Sequence, residues 1–172
     1  MRLPTSWSLA SLLLPAALAL AVAPTVALAQ GARVGGHIGL ATPLVTMTSD
    51  DDTDISETFV LVAPIGVTVK LTDRFAIDFE TQVVNPVDPR GNTALVVAPG
   101  AVYDAGPVVL GLRVASAIGA PANVGVIPLI HKGLFPVGSG TWFLEAAFPL
   151  FAHSDPDPDF TFDVVIHTGI GF

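Results

Sequence analysis

The last thirteen residues of the chain alternate between two kinds of side chain, and this alternation is the feature that most constrains the fold. Even-numbered positions from Phe160 to Phe172 are apolar apart from one Thr, and odd-numbered positions from Thr161 to Gly171 are small or polar apart from one Val. Successive Cβ atoms of a β-strand point to opposite faces, so a period of two predicts a strand with two unlike faces. About thirteen residues is long for a strand of a soluble protein and suits a tilted strand that crosses a bilayer.

The same stretch resembles the terminal strand of bacterial outer-membrane β-barrels, because its alternating apolar positions end on an aromatic residue, Phe172. The resemblance implies a location in the outer membrane, surrounding lipid as a partner, and recognition of this strand by the barrel assembly machinery. The residues that would form this membrane-assembly signal are Phe160, Phe162, Val164, Ile166, Ile170 and Phe172.

The first twenty-nine residues have the pattern of a secretory signal peptide. Arg2 precedes an apolar run from Leu9 to Ala23, and Ala27 and Ala29 supply small residues at the −3 and −1 positions. We predict cleavage after Ala29, which leaves residues 30–172 as a single domain. An uncleaved membrane anchor is the alternative, and the small-residue site disfavours it.

Charge and composition exclude several classes of protein. After residue 29 the chain carries fifteen acidic and six basic residues, a formal charge of −9, which argues against nucleic acid as a partner. It has no Cys, so disulfides cannot stabilise an exported form. Mean hydropathy is +0.67, yet polar or helix-breaking residues interrupt every later apolar run, as expected when only alternate residues face lipid.

Eight apolar runs follow the leader, separated alternately by longer polar connections and by mostly short ones. This pattern predicts an all-β fold, an eight-stranded antiparallel up-and-down transmembrane β-barrel of the kind found in small OmpA-like and OmpX-like proteins. A soluble β-sandwich is the competing fold. The predicted strands cover residues 33–45, 58–71, 75–84, 93–103, 107–118, 123–134, 141–152 and 160–172.

Alternation assigns one face of the second, third, fifth and seventh strands to the barrel interior, whereas the fourth and sixth are apolar on both faces. Charged and imidazole side chains are expected to collect inside. Eight strands enclose a space just wide enough for side chains to fill, so these groups are expected to form an ion-pair network that plugs the lumen. A path for protons or small ions is the alternative. The predicted lumen network consists of Arg33, His37, Lys70, Asp78, Glu80, Arg113, His131, Glu145, Asp163 and His167.

The sequence gives little support to a metal site or a cofactor. The three interior His lack close spacing and there is no Cys, so we predict no transition-metal site. Asp50, Asp52 and Asp54 have the spacing of a calcium loop, but Ile55 stands where such a loop has Gly and Leu61 where it has Glu. Two acidic loops therefore remain candidates for weak divalent-cation binding, the second containing Asp155, Asp157 and Asp159.

An enzymatic role is not predicted. His153 and Ser154 could suggest a lipid-modifying enzyme at the barrel rim, but adjacent residues of a strand point to opposite faces, and the chain has no GxSxG motif. The expected function is a structural or surface-interaction role in the outer membrane. A narrow channel is the first alternative, and a rim enzyme is the second.

Overall fold

The computed structural model describes residues 34–119, 123–154 and 159–172 as a closed, eight-stranded, antiparallel β-barrel, which confirms the predicted fold class. The predicted signal peptide and Arg33 lie outside the described residues. The strands are β1 (Val34–Thr48), β2 (Asp52–Asp54), β3 (Phe59–Lys70), β4 (Phe75–Asp88), β5 (Ala94–Asp104), β6 (Val109–Ile118), β7 (Asn123–Val137), β8 (Gly140–Ala147), β9 (Leu150–His153) and β10 (Asp159–Gly171).

Ten strands form eight barrel positions. β2 is a short hairpin partner of β1, and β8 and β9 share one position because both pair with β7 on one side and β10 on the other. The barrel closes where β10 pairs with β1, from His37 opposite Gly171 to Thr48 opposite Thr161. The described residues include no helix long and apolar enough to cross a membrane.

The two ends of the barrel differ in their connections. Residues 71–74, 105–108 and 138–139 form tight turns at the end where the chain also finishes, and we call this end the turn side. The opposite end, the loop side, carries residues 49–58 with β2, residues 89–93, and the last residues of β6 and β9. Residues 49–58 form a longer connection than any of the three turns, and residues 89–93 are one residue longer than the longest of them.

Two prolines coincide with breaks in the ladder. Pro149 falls in the gap between β8 and β9, and the pairing of β1 with β3 lapses around Pro64, which has no N–H to donate. Bulges shift the register between Pro43 and Val45 in β1 and between Gly133 and Phe135 in β7.

The alternation separates the two faces of β3, β4, β6 and β8 as predicted. A cluster of buried apolar residues from β5 to β8 fills part of the interior, including Ala98, Ala115 and Ile127. Outside, each strand exposes large apolar side chains, so the whole circumference is apolar. Examples in barrel order are Ile38, Ile65, Phe79, Leu95, Leu112, Ile130, Leu144, Leu150 and Phe160.

Candidate functional site: a buried ion network beneath an apolar well

Arg113 lies at the centre of the network inside the barrel. Its Nε donates to Asp78 Oδ2 at 2.8 Å, and its Nη2 lies 2.8 Å from the same oxygen and 3.2 Å from Glu80 Oε2. Nη1 lies 3.3 Å from Glu145 Oε1. None of these four residues is more than 3% exposed, so one guanidinium faces three carboxylates away from solvent. Such an arrangement is stable only when the remaining charge and hydrogen bonds are satisfied.

Three histidines complete the network around the carboxylates. His37 Nε2 lies 2.7 Å from Glu80 Oε2, while His131 Nδ1 and His167 Nδ1 each lie 3.3 Å from an oxygen of Glu145. A neutral imidazole can donate one N–H to a carboxylate, and a protonated one also supplies positive charge. The histidines can therefore compensate the carboxylates that a single Arg leaves in excess.

Two neutral side chains donate hydrogen bonds to the carboxylate oxygens that neither Arg113 nor a histidine contacts. Thr68 Oγ1 donates to Asp78 Oδ1 at 2.7 Å, and Gln82 Nε2 donates to Glu80 Oε1 at 2.6 Å. With these contacts, both oxygens of Asp78, Glu80 and Glu145 have a partner. His167 Nε2 is the one network atom among the described residues that is buried without a hydrogen-bond partner. The satisfied carboxylates fix the positions of the side chains that contact them.

Phe143 packs between the histidines and is itself 1% exposed. Its ring meets His167 edge to face, with centroids 4.9 Å apart, and lies 4.6 Å from the ring of His131. The sequence prediction did not include Phe143. Its position two residues before Glu145 on the same strand face would have placed it inside the barrel.

Glycines on neighbouring strands make room for the larger rings. A Cβ added to Gly66 would lie 2.1 Å from His37 Cε1, and one added to Gly39 would lie 2.6 Å from His167 Nε2. Small residues opposite large ones are how a narrow barrel accommodates its interior side chains. The Gly-rich first strand therefore has a packing role.

Seven of the ten predicted network residues meet in one cluster: His37, Asp78, Glu80, Arg113, His131, Glu145 and His167. Lys70 is exposed at the turn side, and Asp163 lies toward the loop side, where it accepts a hydrogen bond from Thr46. Arg33 is outside the described residues. Lys70 and Asp163 share the inward face but not the height of the network.

The network separates two cavities of the barrel interior. The larger one, which we call the loop-side well, has a volume of about 780 Å³ and is lined at its floor by Glu80, Arg113, Glu145 and His167. The smaller cavity opens at the turn side, has a volume of about 230 Å³, and is lined by polar residues including Lys70. Arg113 and Glu145 line both cavities, so they form the partition between them.

The sequence prediction treated the whole lumen as polar, and the loop-side well differs from that expectation. Its wall is formed largely by inward side chains of Val, Ala, Pro, Ile and Phe, including Val62, Val96, Ile127 and Phe151. β5 and β7 are apolar on both faces, so the sequence did not reveal which of their residues would line a cavity.

Three ligand atoms from Glu80, Glu145 and His167 lie within 4.8 Å of one another, the geometry of a metal site. Arg113 already contacts both carboxylates, and His167 already contacts Glu145. A cation bound there would have to compete with a buried guanidinium. The trio is therefore part of the ion network, and the absence of a metal site remains a prediction.

The acidic residues of the first loop serve mainly in local turns. Asp54 Oδ1 accepts hydrogen bonds from the Ser56 hydroxyl and amide, which lower the pKa of the Asp54 carboxyl. Asp50 lines the loop-side well, whereas Asp52 pairs with Met47 in the β1–β2 hairpin. Within the described ranges these three carboxylates do not form a three-ligand cluster. Asp155 and Asp157 lie outside those ranges, and cation binding at these loops stays a prediction.

His153 lines the loop-side well, and its Nε2 lies 3.2 Å from Thr161 Oγ1. Ser154 follows it at the end of β9 and is exposed. This arrangement does not add support to a rim enzyme.

Comparisons with protein-family models, with curated proteins and with solved structures found no match for this chain.

Proposed function

We propose that this protein is an integral outer-membrane β-barrel that is closed to solutes by its interior network and acts as a structural or surface-interaction protein through its loop side. The observation that carries the proposal is the apolar outer wall, which continues across every barrel strand. A soluble barrel would expose this surface to water at a large free-energy cost, whereas lipid accommodates it.

Exposed aromatic residues lie near both ends of the wall, as in the girdles of transmembrane barrels. The turn side has the exposed Phe75, Tyr103, Phe135 and Phe172 with the half-buried Trp142, and the loop side has the exposed Phe59 and Phe160 with the half-buried Phe162. On β10 the two groups are ten residues apart, from Phe162 to Phe172. At about 3.3 Å per residue and a tilt of roughly 40°, that stretch covers about 25 Å, the height of a typical lipid-facing band.

The leader and the terminal strand support a bacterial outer-membrane location. Residues 1–29 have the signal-peptide pattern, and the alternating apolar positions from Phe160 to Phe172 resemble the strand that barrel assembly machinery recognises. Mass spectrometry of the exported protein is expected to find Gln30 at the N-terminus. An intact Met1 end would contradict the export argument.

A narrow channel is the second candidate, and the two cavities favour it. Each cavity opens toward one end of the barrel, and only the layer of network side chains lies between them. Rearrangement of that layer would join the cavities. Ion pairing of Arg113 on β6 to three carboxylates from β4 and β8 supports the closed form over this alternative.

Quenching of Trp142 by brominated lipids tests membrane insertion directly. Trp142 is on the outer face near the turn side. A Trp142→Phe variant measures any emission that comes from Trp7, and this background is subtracted. The exported protein is reconstituted into bilayers whose acyl chains carry bromine at different depths. We expect strong quenching that is greatest for bromine near the interface. Emission unaffected by brominated lipid would contradict a membrane-spanning barrel.

A further inference from the structure

We propose that the loop-side well is a binding site for a small amphiphile with an apolar body and a protonated amine. The inference goes beyond the closed-barrel role, and it does not depend on whether the barrel conducts ions. It rests on the size of the well, the chemistry of its wall, and the charge of the groups around it.

The well has the dimensions and the wall of a ligand site. Its volume of about 780 Å³ falls within the range of roughly 300–1,000 Å³ that is typical of small-molecule pockets. The wall is mostly aliphatic and aromatic, with Val62, Ile127 and Phe151 among the side chains that face the space. Apolar walls filled only with water forgo hydrophobic stabilisation, so an apolar ligand body would be favoured there.

The charges around the well favour a cation. Three carboxylates outside the network line it, those of Asp50, Asp159 and Asp163, whereas Glu80 and Glu145 at its floor are already paired with Arg113 and the histidines. Arg113 is already paired with three acidic side chains, so it offers no free positive charge to an anionic ligand. A cavity with walls of low polarity focuses the field of such charges and raises the local concentration of ions of the opposite sign.

Asp163 is the best-placed partner for an ammonium group. Its Oδ1 accepts a hydrogen bond from Thr46 at 2.6 Å, and within the described part of the chain no donor contacts its Oδ2. Thr46 fixes the carboxylate, which lines the well above the floor formed by His167. The four residue steps from Asp163 to His167 span about 13 Å of strand, or roughly 10 Å along a tilted barrel axis. An eight-carbon chain can fill that depth.

The test compares three probes with the same chain and different heads: octylamine, octanol and octanoate. The full-length exported protein is placed in nanodiscs of zwitterionic phosphatidylcholine, and binding is measured by titration calorimetry at neutral pH with empty discs subtracted. We expect one molecule of octylamine to bind per barrel. Octanol should bind about tenfold more weakly, because it lacks the ionic contact with a partly buried carboxylate, and octanoate should not bind measurably.

Matched variants locate the binding. Val165 lines the well and Val164 faces outward, so Val165→Phe should weaken octylamine binding at least about tenfold by filling the cavity, while Val164→Phe should leave it unchanged. Ala117→Leu, also in the well lining, is a smaller insertion and provides a second test if Val165→Phe does not fold. Folding of each variant is checked by its mobility on an unheated gel.

A charge pair of variants tests the role of Asp163. Asp163→Asn keeps the acceptor for Thr46 and should weaken octylamine binding about five- to tenfold. Asp73→Asn removes one carboxylate charge at the turn side, outside the well, and should leave octylamine binding unchanged. Octanoate binding as tightly as octylamine would overturn the proposal. So would octylamine binding that neither Val165→Phe nor Ala117→Leu weakens, or no heat above that of empty discs.

Discussion

At the scale of single residues, Arg113 determines whether three buried carboxylates have a compensating charge. Asp78, Glu80 and Glu145 come from β4 and β8, and Arg113 comes from β6 between them. Replacing such a network by apolar residues can be nearly neutral, because its desolvation cost is comparable to its mutual attraction. Removing one member is different, since the partners remain buried.

Arg113→Ala is expected to destabilise the folded barrel by about 3–5 kcal/mol, because it leaves buried carboxylates without their guanidinium. Urea titration in liposomes, followed by Trp142 emission, measures the change in the free energy of unfolding. Arg90→Ala, which removes a cation from an exposed position in the connection after β4, is the control and should change stability little. Equal stability of Arg113→Ala and the wild type would show that the network does not hold these carboxylates.

Gly66→Ala is expected to destabilise the barrel by roughly 1–3 kcal/mol through overpacking. The new Cβ would lie 2.1 Å from His37 Cε1, and His37 cannot move away without losing its 2.7 Å contact with Glu80.

Gly171→Ala is the matched control, because its Cβ would meet only ordinary contacts of 3.7 Å or more. The same urea titration compares the two variants. A loss for Gly171→Ala as large as that for Gly66→Ala would contradict the packing of His37 over Gly66.

At the scale of elements, β10 closes the barrel, and its pairing on both edges fixes which of its side chains point outward and which point inward. Its pairing with β1 covers most of its length, and its other edge pairs with β8 and β9. A one-residue slip would exchange the outward and inward side chains of the whole strand. Substitutions at adjacent positions therefore report which face meets lipid.

Ile166→Arg is expected to destabilise the barrel more than Val165→Arg. Ile166 is on the outer face midway between the aromatic groups of β10, where a cation costs about 2–4 kcal/mol in lipid. Val165 faces the loop-side well, and an Arg there lies on the same face as Asp163. Refolding titrations compare the two variants, and a larger loss for Val165→Arg would contradict the assigned register.

Phe172→Ala is expected to lower assembly in cells several-fold while leaving the stability of refolded protein nearly unchanged. The Phe172 side chain is 68% exposed, and its backbone exchanges two hydrogen bonds with Gly36 that do not need the ring. Immunoblots of outer-membrane fractions give the assembled amount. Phe135→Ala, another exposed aromatic at the turn side, is the control. Equal losses for the two variants would argue against a special role of the terminal residue in assembly.

The sequence predicted the elements well because alternation is a local property. It gave eight barrel positions and the outward faces of strands such as β4, where Ile77 and Phe79 flank buried Asp78. It did not predict the β2 hairpin or the separation of β8 from β9. Those depend on how the loop after Thr48 folds back and on how the neighbours of Pro149 pair, which are properties of the closed sheet.

At the scale of the whole molecule, it was harder to predict which interior side chains contact one another than to predict which side chains point inward. Alternation shows which residues point inward, but the stagger between strands decides which of them meet. Asp163 and His167 share one face of β10, yet only His167 reaches the network, and Lys70 lies beyond it at the turn side. The closed barrel thus divides an inward face that appears uniform in sequence into a polar partition and an apolar well.

The central claim is that this partition closes a membrane-spanning barrel, and conductance in a planar bilayer tests it most directly. We expect reconstituted wild-type protein to show no steady ion current. The Arg113→Ala variant should conduct, because loss of the guanidinium opens space between the two cavities that Arg113 lines. A steady current through wild-type barrels would contradict the account.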